Sequence, residues 1–235
     1  NSLGLSLTSL ATLGQQGVLG TAGQGRNGEQ SYVIVFSGNL VLQDFDDRLE
    51  SRGLDVAAIR TYNSQGTFGD DNGDNWTVGP ASQRVQLASG TLGAAGSTVL
   101  RTAADGSQSL YTWNAAKGVY LGTDGSGAYD TIAVGSSRLV WSDGATGLVE
   151  RYESTVPGRL MSSVDPFGNT LTYTWDASNR LLRVDDASGQ TTYFDYSGAN
   201  LTQIRTVTAD NVTQTRVRYA YDGSNRLISV TVDLS

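Results

Sequence analysis

The sequence predicts an all-β fold, a curved and spiralling antiparallel sheet built from stacked hairpins. Three observations lead to this prediction. The 235 residues include 29 glycines and 11 tyrosines but only 3 prolines, a composition that favours strands joined by tight turns. A tyrosine recurs with an aliphatic residue eight positions after it. Aspartate, asparagine, serine and glycine separate the strand-like stretches at short intervals, as turn residues do.

The tyrosine–aliphatic pattern occurs five times in one register. The pairs are Tyr111 with Val119, Tyr152 with Leu160, Tyr173 with Leu181, Tyr193 with Leu201 and Tyr219 with Leu227. With Arg138-Leu139 as a degenerate copy, the period is 20 or 21 residues, except for one of 26. A unit of this length holds two short strands and two turns. An enlarged turn at residues 208–214 is the expected cause of the long period.

Stacked copies of this unit are expected to share one core, because a single hairpin cannot bury its own apolar face. In the unit 171–190, Tyr173 and Trp175 lie two residues apart and therefore on one face of a strand. The residues expected to form the core are Tyr173, Trp175, Leu181, Tyr193, Leu201, Tyr219, Tyr221 and Leu227. If the aromatic rows were exposed instead, they would indicate a platform for sugars.

Three regions are predicted along the chain. Residues 1–30 form an irregular N-terminal segment, and residues 31–99 form an opening segment. Residues 100–235 form the repeat array. Within the opening segment, strands are expected at residues 32–36, 39–45 and 54–62, followed by a polar loop that ends at Trp76.

Composition excludes several kinds of active site. The sequence has no cysteine and no histidine, which excludes disulfides, thiolate nucleophiles, Ser-His catalysis and the usual zinc sites. A net charge of −7 argues against a nucleic-acid partner, because phosphate contacts need basic clusters. No stretch approaches about 18 apolar residues, so no membrane span is expected. The sequence therefore assigns no catalytic residue, no cofactor and no metal ligand, and the protein is not expected to be an enzyme.

The loop at residues 70–75 is the best candidate for a metal site. Its sequence, Asp-Asp-Asn-Gly-Asp-Asn, places several oxygen ligands close together, which suits calcium. The loop departs from the EF-hand pattern, because Asn75 stands where glycine is required and Ala81 stands where the bidentate acid belongs. A solvated turn that caps the strand of Trp76 is the favoured interpretation, and calcium is the alternative.

Paired carboxylates could in principle hydrolyse glycosidic bonds. The available pairs are Asp46 with Asp47, Asp185 with Asp186, and Asp130 with Glu150. Their spacing does not single out one pair, and turns and exposed strand edges commonly carry acids. These residues are therefore interpreted as structural.

One motif recurs within the repeat array. Tyr219-Ala-Tyr221-Asp222-Gly-Ser-Asn-Arg226-Leu227 carries it, and residues 173–181 match it with one aromatic exchanged. In this motif, residues 38–235 resemble the Rhs, or YD, repeat family. Gly38-Asn39-Leu40 and Arg60-Thr61-Tyr62 resemble the opening of an Rhs core. Asp165-Pro166-Phe167-Gly168 is similar to the self-cleaving segment of such cores. It lies at a turn position between ordinary repeats, however, so a structural turn is expected.

The resemblance implies a specific function. In this family the repeats wind into a hollow β-shell, which in secreted bacterial toxins encloses a C-terminal toxin domain. The expected partners are therefore the remaining shell chain and an enclosed toxin domain or other protein cargo. The expected location is secreted or at the bacterial cell surface. The alternative is an adhesion or carbohydrate-binding module that recognises a cell-surface glycan, as the related barrel of teneurins acts at cell surfaces.

Overall fold

The structure is a computed structural model that describes residues 10–12, 23–24, 30–34, 38–51, 53–66, 71–106, 108–122, 129–155 and 157–233. In these residues the strands form two sheets, and one short helix, α1 (Gly79–Ser82), lies between them in the chain. Every pair of neighbouring strands is antiparallel. The predicted all-β fold of stacked antiparallel hairpins is confirmed.

The first six strands form the short sheet, in the order β1-β3-β4-β5-β6 with β2 also paired to β3. They are β1 (Leu10–Thr12), β2 (Gly23–Gln24), β3 (Gln30–Ile34), β4 (Asn39–Leu49), β5 (Val56–Asn63) and β6 (Trp76–Val78). Val41 and Leu49 of β4 and Val56 and Ala58 of β5 are buried. This alternation places one face of the short sheet against the core.

The other fourteen strands form the long sheet, in which each strand pairs with the next along the chain. They are β7 (Arg84–Ser89), β8 (Thr98–Thr102), β9 (Gln108–Asn114), β10 (Val119–Gly122), β11 (Thr131–Val134), β12 (Arg138–Ser142), β13 (Val149–Glu153), β14 (Leu160–Val164), β15 (Thr170–Trp175), β16 (Leu181–Asp185), β17 (Thr191–Ser197), β18 (Asn200–Val207), β19 (Thr213–Tyr221) and β20 (Leu227–Val232). The long sheet begins at Arg84, earlier than the array boundary placed at residue 100. Strands β7 and β8 contain no tyrosine, so the sequence motif did not reveal them.

The long sheet curls until its first strand meets its middle. The backbone N–H of Val85 donates to the carbonyl of Gly158 at 2.9 Å, and that of Leu160 donates to Gln83 at 3.3 Å. We call this contact the seam. Gly158 has a φ of 74°, and a Cβ at this position would lie 1.9 Å from the carbonyl oxygen of Val85. The seam therefore requires glycine here.

Both sheets contribute to one hydrophobic core. Tyr152, Leu160 and Leu181 are fully buried, and Tyr173 and Tyr219 are 5% exposed. The tyrosine and aliphatic positions of these repeats thus lie in the core as predicted. Leu201 is also buried, at 4% exposure.

Tyr193 is not a core residue, and that prediction is wrong. Thr192 and Phe194 occupy the buried positions of β17, while Tyr193 is half-buried. The guanidinium of Arg205 lies over the Tyr193 ring, 4.1 Å from its centre. The tyrosine of β17 is one residue out of phase with the buried tyrosines of the other repeats, so the pleat turns it to the opposite face.

Trp175, Tyr221 and Leu227 are only partly buried, although they pack against the core. Trp175 lies at a β-bulge, where the pairing of β15 with β16 shifts register between Thr174 and Trp175. Tyr221 and Leu227 face each other across the β19–β20 pair, which lies at one end of the long sheet. These positions are therefore more accessible than the sequence pattern predicted.

A bulge occurs at the same end of four successive hairpins. The register shifts fall between Arg151 and Tyr152, Thr174 and Trp175, Asp195 and Tyr196, and Ala220 and Tyr221. We call this border of the sheet the bulged rim; its turns join β13 to β14, β15 to β16, β17 to β18 and β19 to β20. A bulge bends its strand and increases the local twist.

The long repeat of 26 residues arises from longer strands, and the expected enlarged turn is wrong. The Thr208 N–H donates to the Val212 carbonyl at 3.0 Å, which closes a turn of the same length as Asp186–Gln190 and Asp222–Arg226. Strands β18 and β19 contain 8 and 9 residues, whereas β15 and β16 contain 6 and 5. The additional residues therefore lengthen strands β18 and β19, and they do not enlarge the turn between these strands.

Candidate functional site: aspartate turns and buried ion pairs

Four turns of the long sheet share one geometry that begins at an aspartate. In each turn the carboxylate accepts the backbone N–H groups of the third and fifth residues at 2.8–3.0 Å. The fourth residue is glycine or asparagine and has a positive φ, between 59° and 87°, which these residues tolerate best. The four turns are Asp165–Asn169, Asp176–Arg180, Asp186–Gln190 and Asp222–Arg226.

Arginine closes two of these turns on the bulged rim. The Nε of Arg180 donates to Asp176 at 2.7 Å, and the Nε of Arg226 donates to Asp222 at 2.7 Å. The hydrogen bond from the Arg226 side chain and those from the backbone lower the pKa of Asp222 to about 2. The aspartate and arginine of the sequence motif are thus the first and last residues of one turn, and their side chains form a hydrogen bond that closes it.

The arginines of the bulged rim also reach the next turn along the sheet. Arg159 donates through Nη1 to the side-chain oxygen of Asn179 at 3.1 Å. Arg180 donates through Nη1 to the carbonyl of Gly198, in the turn between β17 and β18. Arg226 has no comparable contact within the described residues, and its side chain is 76% exposed. We call Arg159, Arg180 and Arg226 the rim arginines.

The segment Asp165-Pro166-Phe167-Gly168 lies in the first of the four turns, between β14 and β15. Asp165 accepts the N–H groups of Phe167 and Asn169, both at 2.9 Å. Phe167 projects outward and is 91% exposed. The structure places the segment in the turn that its position in the repeat predicted.

A buried network around Glu150 was not found from the sequence. Glu150 is 3% exposed. Its carboxylate accepts hydrogen bonds from Arg101 Nη2 at 2.7 Å, from Gln83 Nε2 at 3.1 Å and from the Tyr152 hydroxyl. The Arg101 guanidinium also stacks on Trp141, 3.6 Å from the ring centre. We call these five residues the Glu150 network.

The network joins strands that are far apart in the sequence, so spacing alone could not reveal it. One local signal was present, since Glu150 and Tyr152 are two residues apart on the inward face of β13. Burial raises the pKa of Tyr152 well above its ordinary value, although the charge of Arg101 opposes this. The Tyr152 hydroxyl therefore stays protonated and donates to Glu150.

The structure does not bring Asp130 and Glu150 together as a carboxylate pair. Asp130 instead accepts hydrogen bonds from the Tyr111 hydroxyl at 3.3 Å and from the Gly144 N–H at 3.2 Å. Burial raises the pKa of Tyr111 to about 12. The two carboxylates thus have separate partners.

Asp185 and Asp186 also have separate roles. Asp185 pairs with Arg183 at 3.3 Å and accepts a hydrogen bond from Thr191 at 2.8 Å. Asp186 begins one of the aspartate turns and accepts the N–H of Gln190 at 2.9 Å. Both acids support the β16–β17 connection.

Asp46 and Asp47 connect the short sheet to the long sheet. Asp46 accepts hydrogen bonds from Arg60 Nη2 and from the Tyr219 hydroxyl, both at 2.9 Å, and its side chain is 2% exposed. Asp47 accepts from Arg216 Nε at 2.7 Å. Tyr219 and Arg216 belong to β19, so these acids hold two parts of the fold together.

The loop proposed for calcium contacts the bulged rim. Asp70 lies outside the described residues. Asp71 accepts the Leu201 N–H at 3.1 Å. The Asn72 amide donates to Asn200 Oδ1 at 2.8 Å and to the Asn225 carbonyl at 2.9 Å. The loop therefore bridges two neighbouring turns of the long sheet.

Asp74 accepts the Trp76 N–H at 2.9 Å and so caps the strand of Trp76, as the favoured interpretation predicted. The expectation of a solvated turn is wrong, because the loop packs against the turns of the long sheet. Burial raises the pKa of both Asp71 and Asp74 above the ordinary value. Within the part of the chain that the structure describes, no three His, Cys, Asp or Glu residues are grouped to hold a metal. Calcium binding by this loop stays the untested alternative.

The curled sheet and its aspartate turns define a class, that of antiparallel β-repeat proteins. The family model for the RHS Repeat matches residues 158–192, which extend from the seam through β16 into β17. This match supports the resemblance of the chain to the Rhs/YD-repeat family. No protein with a curated description shows significant similarity. In the described ranges, no helix is both long enough and apolar enough to cross a membrane.

Proposed function

We propose that the chain is a non-catalytic wall segment of a β-shell, in a secreted or surface-exposed bacterial protein of the toxin type. Its partners would be the remaining shell chain and an enclosed C-terminal toxin domain or other protein cargo. The observation that carries this proposal is that, in the described residues, the fourteen antiparallel strands of the long sheet each pair with their chain neighbour. A sheet with this order grows by adding hairpins at an edge, which is how a wall of repeats is built.

The acidic residues support a structural role. The carboxylates weighed as catalytic pairs are held by arginines, tyrosines or turn N–H groups. Asp46, for example, binds Arg60, and Glu150 binds Arg101. A general acid or base needs access to a substrate proton, whereas these two side chains are 2% and 5% exposed.

The tryptophans favour the wall over the glycan-binding alternative. A sugar platform needs a flat aromatic face that is open to solvent. Each of the four tryptophans instead contacts an arginine or a tyrosine with its ring. The pairs are Trp76 with Arg60, Trp113 with Tyr120, Trp141 with Arg101 and Trp175 with Arg159.

Protection of cargo tests the proposal. A protease-sensitive reporter would be placed after further RHS repeats joined to residue 235, and its cleavage compared with that of the same reporter fused directly to the chain. A wall function predicts slow cleavage only when the added repeats complete the shell. Equal cleavage of both fusions, together with saturable binding of the chain on a glycan array, would favour the adhesion module instead.

A further inference from the structure

A pocket lies between the short sheet, helix α1 and the long sheet. Its volume is about 170 Å³, and a cavity of about 150 Å³ is large enough for one benzene ring. Leu54, Ala104 and Leu148 are half-buried and form the mouth of the pocket. Val56 and Leu171 form its wall and are 5% and 3% exposed. The pocket therefore has room for a small apolar body that enters from the surface.

Four buried polar side chains form the floor of this pocket. They are Gln83 and Glu150 of the Glu150 network together with Ser163 and Tyr173, and none is more than 8% exposed. Glu150 and Ser163 lie opposite each other in the β13–β14 pair, which brings their side chains together on one face. Burial, and to a lesser degree the charge of Glu150, raises the pKa of Tyr173 above its ordinary value. The Tyr173 hydroxyl therefore stays protonated and is a possible donor.

The floor has one hydrogen-bond donor and one acceptor to spare. The hydroxyl oxygens of Ser163 and Tyr173 are 3.3 Å apart, and neither makes another hydrogen bond in the part of the chain that the structure describes. Only one of these hydroxyls donates to the other, so the second hydroxyl hydrogen is left for a ligand. The Oε1 atom of Glu150 accepts from Gln83 Nε2 at 3.1 Å and from no other described donor, although a carboxylate oxygen has two lone pairs.

The charges at the floor favour a neutral ligand. Arg101 Nη2 lies 2.7 Å from Glu150 Oε2, so the carboxylate already has its countercharge. A ligand with a charge of its own would bring an uncompensated charge into a buried site, which is costly. One hydroxyl group, by contrast, both donates and accepts, and it would satisfy the spare groups of the floor without adding a charge.

We propose that this pocket binds a small neutral molecule of the phenol class, which has one apolar ring and one hydroxyl group. The ring lies against Val56 and Leu171. The ligand hydroxyl donates to Glu150 and accepts from the hydroxyl pair of Ser163 and Tyr173. An apolar pocket with a few converging polar groups is the usual form of a small-molecule site. The inference does not depend on the wall function, because it uses only the lining of this pocket.

Phenol and benzene are suitable probes for this site. Their binding to the 235-residue protein would be measured by ligand-observed NMR and by the shift in melting temperature. We expect saturable binding of phenol, accompanied by a rise in melting temperature. Ala104→Leu narrows the mouth and should weaken phenol binding by about tenfold or more. Ala187→Leu makes the same change at an exposed turn alanine; it is the matched control and should bind phenol normally.

The double variant Ser163→Ala with Tyr173→Phe tests the hydroxyl contact separately. It removes both hydroxyl groups and nearly preserves the shapes of the side chains, so stability should change little. Phenol should bind about tenfold more weakly to this variant, because its hydroxyl loses a partner. Benzene makes no such hydrogen bond and should bind at least as well as it binds the wild type. Urea denaturation would first verify that each variant is folded.

Four results would overturn the inference. An absence of saturable phenol binding would mean that the pocket holds only water. Normal phenol binding by Ala104→Leu would place the ligand elsewhere on the protein. An equal loss of phenol and benzene binding in the double variant would mean that the two hydroxyls only maintain the shape of the pocket. Tighter binding of benzylammonium than of phenol would mean that Glu150 recognises a cation.

Discussion

Replacing Glu150 with leucine removes the carboxylate that neutralises the buried Arg101. The side chains of this pair are 5% and 11% exposed, and their charged atoms are 2.7 Å apart. Removing one partner of a buried ion pair leaves an uncompensated charge and costs about 3–5 kcal/mol. We therefore expect Glu150→Leu to lower the free energy of unfolding by about 3–5 kcal/mol. Gln83 and Tyr152 would lose an acceptor as well.

The double variant Glu150→Leu with Arg101→Met separates the charge from the packing. A hydrophobic pair of similar volume avoids desolvation, so the double variant should be more stable than Glu150→Leu alone by about 2 kcal/mol. The exposed pair of Arg183 and Asp185 provides the control, and Arg183→Met should change stability by less than about 1 kcal/mol.

Urea denaturation followed by tryptophan fluorescence and circular dichroism gives these free energies. The reasoning would be refuted by a loss below about 1 kcal/mol in Glu150→Leu, or by a double variant that loses the sum of the two single losses. Either result would mean that water reaches the Glu150 network and solvates Arg101.

Three further outcomes are expected. Leu181→Ala should lower the free energy of unfolding by about 2–5 kcal/mol because Leu181 is fully buried. The neighbouring Leu182 is 38% exposed, and Leu182→Ala should change the free energy of unfolding by about 0.5 kcal/mol or less. Similar losses for the two variants in urea denaturation would contradict the assigned face of β16. Gly158→Ala should open the seam, seen as faster hydrogen exchange at Val85 and Leu160, and unchanged exchange would show that the backbone adjusts. Burial raises the pKa of Tyr111 to about 12 and also raises that of Tyr152. In the unfolded chain these tyrosines ionise at about pH 10. The free energy of unfolding should therefore be constant below about pH 10 and fall as the pH rises toward 12, because only the unfolded chain releases these protons there. A denaturation midpoint that is flat over this interval would contradict the burial of these hydroxyls.

The sequence predicted the parts of the fold that repeat locally. Tyr173 and Leu181 mark the same two core positions in each ordinary unit, and Asp176 and Arg180 mark its turn. These signals are local because a strand has a period of two and a tight turn spans a few residues. Tyr193 failed as a marker because a shift of one residue moves a side chain to the other face.

The parts that the sequence did not predict depend on contacts between distant segments. The seam joins Val85 to Gly158, and the Glu150 network joins Arg101 to β13. Spacing along the chain contains no information on such contacts until the curvature of the sheet is known. The roles of Asp46 and Asp71 could not be predicted for the same reason. These acids find their partners only when the first part of the chain lies against β18 and β19.

The four bulges have a consequence for the shape of any assembly of these units. Each bulge bends and twists its strand at the same border of the sheet. Hairpins that repeat this distortion at one border add their twists in the same sense, so a longer array of them would coil instead of staying flat. The curvature of such an array would then be encoded within each hairpin of about twenty residues.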